Sequence, residues 1–262
     1  MKKRILLLCA ALVMLSASAL AAPYGGSRQH HRYEPKQNFF NGFGIGFGYS
    51  FSSYRTVDLT TEEPTSSAML HGFTLGLTKD FTLIPKSFYF QTGLNYIYQN
   101  DSRNEDIDNL KIRLIGDREE HYLALPLKFK YKLELVDNIG LIVDAGPTLL
   151  VGLASEFDYR TRISESVTLS SSYDLYTGKV KTNGSSPLLN LEQWMADSGM
   201  YPYGKMSRFD VMLGASVGAE FFDILEARVG YDWGLVNRYM KEVADIYSLR
   251  RGQFTLSVGI RF

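Results

Sequence analysis

Lysines alternate with large apolar residues in HYLALPLKFKYKL, residues 121–133, at Lys128, Lys130 and Lys132. A strand puts every second residue on one face, so three ammonium groups share a face opposite Leu127, Phe129, Tyr131 and Leu133. The same parity in other apolar-alternating stretches collects Asp144, Asp210, Glu220, Glu226, Arg228, Asp232 and Arg261, with the amides Gln91, Asn95 and Gln99. Five cations then meet five anions. The chemistry open to such a set is mutual ion pairing, because buried charges are costly unless partnered. A lining with one sign in excess would instead select ions for passage.

The elements that carry these residues are eight alternating segments: Gly42–Phe51, Met69–Thr78, Phe88–Gln99, His121–Leu135, Ile139–Leu153, Phe209–Phe222, Leu225–Leu235 and Phe254–Phe262. Stretches of about ten residues with one wholly apolar face suit strands that cross a bilayer at a tilt. The connections sort by parity. Ser52–Ala68, Asn100–Glu120, Ala154–Arg208 and Val236–Arg251 are long, whereas Lys79–Ser87, Asp137-Asn138 and Asp223-Ile224 are short. A secreted β-sandwich also alternates, but it requires neither sorted loops nor uniformly apolar outer faces. The expected fold is all-β, an eight-stranded antiparallel up-and-down transmembrane barrel with long external loops. An even strand number puts both termini on the periplasmic side.

Residues 1–21 have a basic start (Lys2, Lys3, Arg4), an apolar run and a small-residue site at Ala19-Leu20-Ala21. They read as a secretory signal peptide. Cys9, within the apolar run, is the alternative mark of a lipoprotein. Three of the 28 basic residues leave with the leader, so 25 face 28 acidic ones. The resulting net charge of about −3 gives no electrostatic case for nucleic acid. No disulfide is available to the mature chain. Residues 22–38 read as a flexible periplasmic segment and 39–262 as the barrel domain. Outer-membrane lipid and the barrel-assembly machinery are the expected partners. The terminal Phe262 places an aromatic at the periplasmic interface, and terminal aromatics resemble the assembly signal of outer-membrane barrels.

HYLALPLKFKYKL, with DAGPTLLVG (144–152), RFDVMLGASVGAEF (208–221) and VGYDWGLVN (229–237), resembles the PorT-like outer-membrane β-barrel family of Bacteroidetes, whose members include porin-family proteins. The resemblance spans strands four to eight. It implies the fold and the outer membrane, and its namesake implies a link to type IX secretion.

An eight-stranded barrel is wide enough only for side chains or one small ligand, so the balanced charges predict a plugged lumen. A three-residue turn at Asp137–Ile139 would set Lys132 opposite Asp144, and one at Asp223–Leu225 would set Glu220 opposite Arg228. Pro126 and Pro147 each lack a ladder donor and are expected to mark bulges. A narrow porin for ions or small solutes is the other reading of the lumen.

Catalysis is the third. His71 and His121 fall at external strand ends on the lipid-facing parity, near Ser66, Ser67 and Ser102, where a hydrolase would need a base and a nucleophile. The plainer reading groups both with Tyr49, Tyr96 and Tyr98 in an interfacial girdle. His30-His31 lacks companion ligands for a metal. No enzyme and no cofactor are expected. In the longest connection, SSPLLNLEQWMADSG reads as a short helix with Ser186 as cap. Its stripe of Leu188, Leu191, Trp194 and Met195 would cover the barrel mouth or contact a protein partner.

Overall fold

A computed structural model describes residues 42–107, 112–136, 138–162, 168–183 and 205–262. The expected leader, the segment 22–38 and the stripe Leu188, Leu191, Trp194 and Met195 lie outside the described residues.

Eight long strands close into a ring: β1 (Phe43–Asp58), β2 (Pro64–Ile84), β3 (Phe88–Ile107), β4 (Ile112–Val136), β5 (Ile139–Arg162), β8 (Phe209–Phe221), β9 (Leu225–Gly234) and β10 (Tyr247–Arg261). Each pairs antiparallel with its neighbours, and β1 closes on β10 from Gly44↔Arg261 to Asp58↔Tyr247. Between β5 and β8 run two short strands, β6 (Thr168–Asp174) and β7 (Val180–Asn183), with β6 added to the upper edge of β5. One four-residue helix, α1 (Lys241–Ala244), precedes β10. The topology is up-and-down. Three short turns, joining Ile84 to Phe88, Val136 to Ile139 and Phe221 to Leu225, lie at the same end as the first and last residues of the ring.

Alternation explains why these residues make this ring. Ile45, Phe47, Tyr49, Leu75, Leu77, Phe129, Val143, Val217, Val229, Leu256 and Val258 are exposed on the outside. Ser50, Gln91, Lys130, Asp144, Glu220 and Gln253, on the opposite parity, are buried. A surface of that composition belongs in hydrocarbon, and ring closure leaves no unpaired strand edge there.

Three expectations are corrected. The stretches Ser52–Ala68 and Asn100–Glu120 are largely ladder, not loop: β1 pairs with β2 up to Val57↔Pro64, and β3 with β4 up to Ile107↔Ile112. Beyond the apolar band the outward face becomes polar, so alternation loses contrast while the backbone still pairs. Both tight-turn registers are also two residues away from those expected. Lys130, not Lys132, faces Asp144, and Glu220 faces Glu226, not Arg228. The first turn is shorter, with Asn138 at φ 66 and a bulge between Glu134 and Val136. The second places Phe222 and Asp223 in the left-handed region (φ 56 and 58), one residue earlier than expected. A shift of two keeps every side chain on its face.

The prolines do not shift the register. Pro126↔Thr148 and Phe129↔Ala145 share one alignment, with an interruption opposite Pro147. Gly146 sits in that gap at φ +154, and a Cβ there would fall 2.2 Å from the Leu127 carbonyl oxygen. Gly146→Ala should therefore destabilise the barrel by about 2 kcal/mol, seen as a lower midpoint in urea unfolding of the refolded protein. An unchanged midpoint would show that the strand relaxes there freely. The bulge that matters for the interior is at Leu153, where His121↔Ala154 is followed by Tyr122↔Gly152. It moves the inward face of β5 from even residues (Leu150, Gly152) to odd ones (Ser155, Phe157).

Candidate functional site

The lumen holds two polar layers. Near the short turns the hub is Glu226, which binds Lys130 at 2.7 Å, Arg228 at 2.5 Å and Arg261. Lys130 reaches on to Asp80 at 3.0 Å, and Arg261 also contacts Asp80. Arg228 bridges to Asp144 at 3.0 Å and to Gln91 at 2.8 Å. Gln91 donates to Asp80 at 2.7 Å, and Ser216 to Asp144. Lys132 binds Glu220 and, at 2.5 Å, Asp223 in the β8–β9 turn. That hydrogen bond and charge hold the Asp223 carboxyl below its usual range. Slightly higher, Lys128 meets Asp232 at 2.5 Å. Of the ten charges read from the sequence, nine lie in this layer. Each is in an ion pair.

Asp210 is the exception. It lies in a second layer, toward the long hairpins, whose other charged members parity reading in the apolar band did not reach. Glu120, fully buried, accepts hydrogen bonds from the Tyr54 and Tyr122 hydroxyls and from Ser155 at 3.2 Å. Arg118 donates to it twice, at 2.6 and 3.0 Å. Arg238 donates to the same two phenols at 3.0 and 2.9 Å. Arg251 donates to Ser52, Gln99 and Gln253 at 3.0, 2.7 and 2.6 Å, and lies over the Tyr122 ring at 4.4 Å. Asp210 approaches Arg238 only to 3.9 Å, and among the described residues neither of its oxygens has a hydrogen-bond partner within normal geometry.

Ile97, Ala124, Leu150 and Met212 pack around Tyr122. Above them Tyr54, Leu70, Phe157, Leu175, Met206 and Leu249 form an apolar core inside the extended hairpins. Between the two layers is a cavity of about 180 Å³, lined by groups such as Thr74, Asn95, Lys128, Thr148 and Asp232. That volume suits a cluster of waters or one small solute.

Sequence reading missed Asp80, Arg118, Glu120, Arg238 and Arg251. Asp80 keeps the inward parity of β2 and was legible had that segment been carried two residues past Thr78. Arg118 and Glu120 continue the lysine parity of β4 below residue 121. Arg238, outside the strands, carries no periodic signal.

On the outer surface, Tyr49 and His71 hydrogen-bond at 2.6 Å, as do Tyr96 and His121. Phe47 stacks on Phe73, and Tyr98 packs on His121. His71 and His121 are thus each engaged by a phenol within an aromatic belt. Ser102 donates to Asp117 at 2.6 Å rather than to a histidine. Among the described residues no group of three or more His, Cys, Asp or Glu side chains is placed to hold a metal.

An eight-stranded antiparallel ring, apolar outside and filled with paired charges, defines a small integral membrane β-barrel. The chain belongs to the outer membrane protein beta-barrel domain family, whose pattern residues 29–239 match, and its place is therefore the outer membrane. No curated protein matches it. Among solved structures it is similar to Ail of Yersinia pestis in complex with sucrose octasulfate, at 12% identity over 85% of this chain and 99% of Ail, with a TM-score of 0.38. Neisserial surface protein A matches at 10% identity over 85% and 98% of the two chains, TM-score 0.40. An outer-membrane channel from Pseudomonas putida F1 matches at 9% identity over 90% and 100%, TM-score 0.26.

Proposed function

We propose that this protein is a closed outer-membrane barrel that serves as a structural or interaction component of the envelope, not as a catalyst. The observation that carries this reading is the double filling of the lumen. The ionic layer around Glu226 and the tyrosine–arginine layer around Glu120 both span the interior. Ions in a narrow barrel are stabilised by pairing, and each of the five lumen cations Lys128, Lys130, Lys132, Arg228 and Arg261 has an acid within ion-pair distance. In this reading residues 1–21 are a signal peptide and 22–38 a periplasmic leader. The short turns and both barrel termini face the periplasm, and the paired extensions of β1–β5 face outward. Phe262 is the element recognised by the assembly machinery during insertion. A protein partner docks on the external loops, with Leu188, Leu191, Trp194 and Met195 as its contact surface. The likeness to PorT-like barrels of Bacteroidetes favours a secretion-associated role.

The test is conductance of the refolded chain in planar bilayers. We expect silence at moderate voltage. Steady, ion-selective conductance in the wild type would overturn the closed barrel and make the narrow porin, with the central cavity as its permeation site, the better reading.

A further inference from the structure

Arg55 of β1 and Arg250 of β10 stand directly opposite each other, and both are exposed. Like charges in that position repel, yet neither guanidinium has an acidic partner among the described residues. Both lie on the outward face. Four residues below them on each strand are Phe51 and Phe254, themselves a cross-strand pair at the edge of the aromatic belt. Four residues span roughly 13 Å of strand. On a strand tilted by about 40° the arginines stand roughly 10 Å above the phenylalanines, at the depth of lipid headgroups.

Between the two levels lie Ser53 and Gly252, also paired. A Cβ on Gly252 would fall 2.3 Å from the Tyr231 hydroxyl oxygen and 3.2 Å from the Ser53 hydroxyl. The missing side chain thus makes room for the Tyr231 phenol. Tyr231 pairs with Phe254, one outward position nearer the apolar band, so its ring leans up toward the arginines. Its hydroxyl has no hydrogen-bond partner among the described residues. Two guanidiniums and two hydroxyls therefore gather at one edge of the belt without an acid between them.

We propose that this patch binds the phosphate of an anionic lipid headgroup. Guanidinium forks match phosphate oxygens bidentately, and one shared anion removes the repulsion between the pair. The Tyr231 and Ser53 hydroxyls donate to the remaining oxygens. The acyl chains descend over Phe51, Phe254 and Leu256, which form the apolar wall below. The idea rests on the outer-membrane placement of the barrel and not on whether its lumen is closed.

The test uses the full chain in phosphatidylcholine nanodiscs doped with lipid A, either diphosphorylated or stripped of its phosphates, followed by native mass spectrometry. Wild type should retain the phosphorylated lipid, and Arg55→Gln/Arg250→Gln should reduce that retention on the order of tenfold or more. The stripped lipid should be held weakly and equally by both. Arg160→Gln removes another exposed arginine, one already paired with Asp117, and should leave retention unchanged. Equal retention of the two lipids by wild type, or equal loss with Arg160→Gln, would overturn the site. The mobility shift between folded and heated protein on gels confirms that each variant is folded before its lipids are counted.

Discussion

Glu120→Leu should destabilise the folded barrel by about 3–5 kcal/mol, the range for removing one partner of a buried ion pair. Glu120 is fully buried with three guanidiniums around it. Arg118 binds it directly, and Arg238 is coupled to it through the Tyr54 and Tyr122 hydroxyls, which donate to Glu120 and accept from Arg238. Without the carboxylate those phenols lose their acceptor. Among the described residues, the other acid of the layer, Asp210, has no hydrogen-bond partner and stands 3.9 Å from Arg238, so it does not compensate. Glu120→Gln keeps an acceptor for the phenols but not the charge, so it should fall between wild type and leucine. Glu134→Gln, on an exposed residue, sets the scale for a surface charge and should stay within about 0.5 kcal/mol of wild type. Urea midpoints of the refolded protein, followed by the fluorescence of lipid-facing Trp233, give all three values. A loss below about 1 kcal/mol for Glu120→Leu would mean that the arginines find other partners and that the layer is not held together at this residue.

The membrane band was legible in the sequence because period two is strongest there. Phe43, Ile45, Phe47 and Tyr49 alternate with glycines, and Leu127, Phe129 and Tyr131 with lysines, so face and strand follow together. Above the band that contrast fades. In SSYRTVD, residues 52–58, polar residues occupy both faces, and the buried Tyr54 and Thr56 do not stand out from the exposed Arg55. The tyrosine–arginine layer lies at this height, which is why only Asp210 of its acids was found, and found without its partners. Register is a different kind of loss. Parity fixes which face a side chain occupies, whereas cross-strand partners depend on turn geometry. A left-handed Phe222 has no signal in residue type of the kind that glycine or asparagine provides. Ion pairs across the lumen tolerated the error, because Lys130 and Lys132 reach acids on β2, β8 and β9 and not only on the neighbouring strand.

Glu226→Ala should cost about 3 kcal/mol and yet leave the barrel electrically silent. Its carboxylate is the common partner of Lys130, Arg228 and Arg261. Asp80 and Asp144 then remain to balance those three cations, so one positive charge is left over in a narrow interior. The loss is somewhat smaller than for Glu120 because water from the central cavity can reach Glu226 and Arg228, both of which line it. Silence is expected because Ile97, Tyr122, Leu150 and Met212 still close the lumen on the far side of that cavity. By the same reasoning, breaking the Lys132–Glu220 pair with Glu220→Ala does not open a pore. The two layers share no hydrogen bond or ion pair among the described residues, so their losses should add. Glu120→Leu/Glu226→Ala should match the sum of the single changes within about 0.5 kcal/mol, as independent sites do. A deviation well beyond that would show that the lumen behaves as one network. Conductance from Glu226→Ala alone would show that the ionic layer is the seal and that the tyrosine–arginine layer leaks.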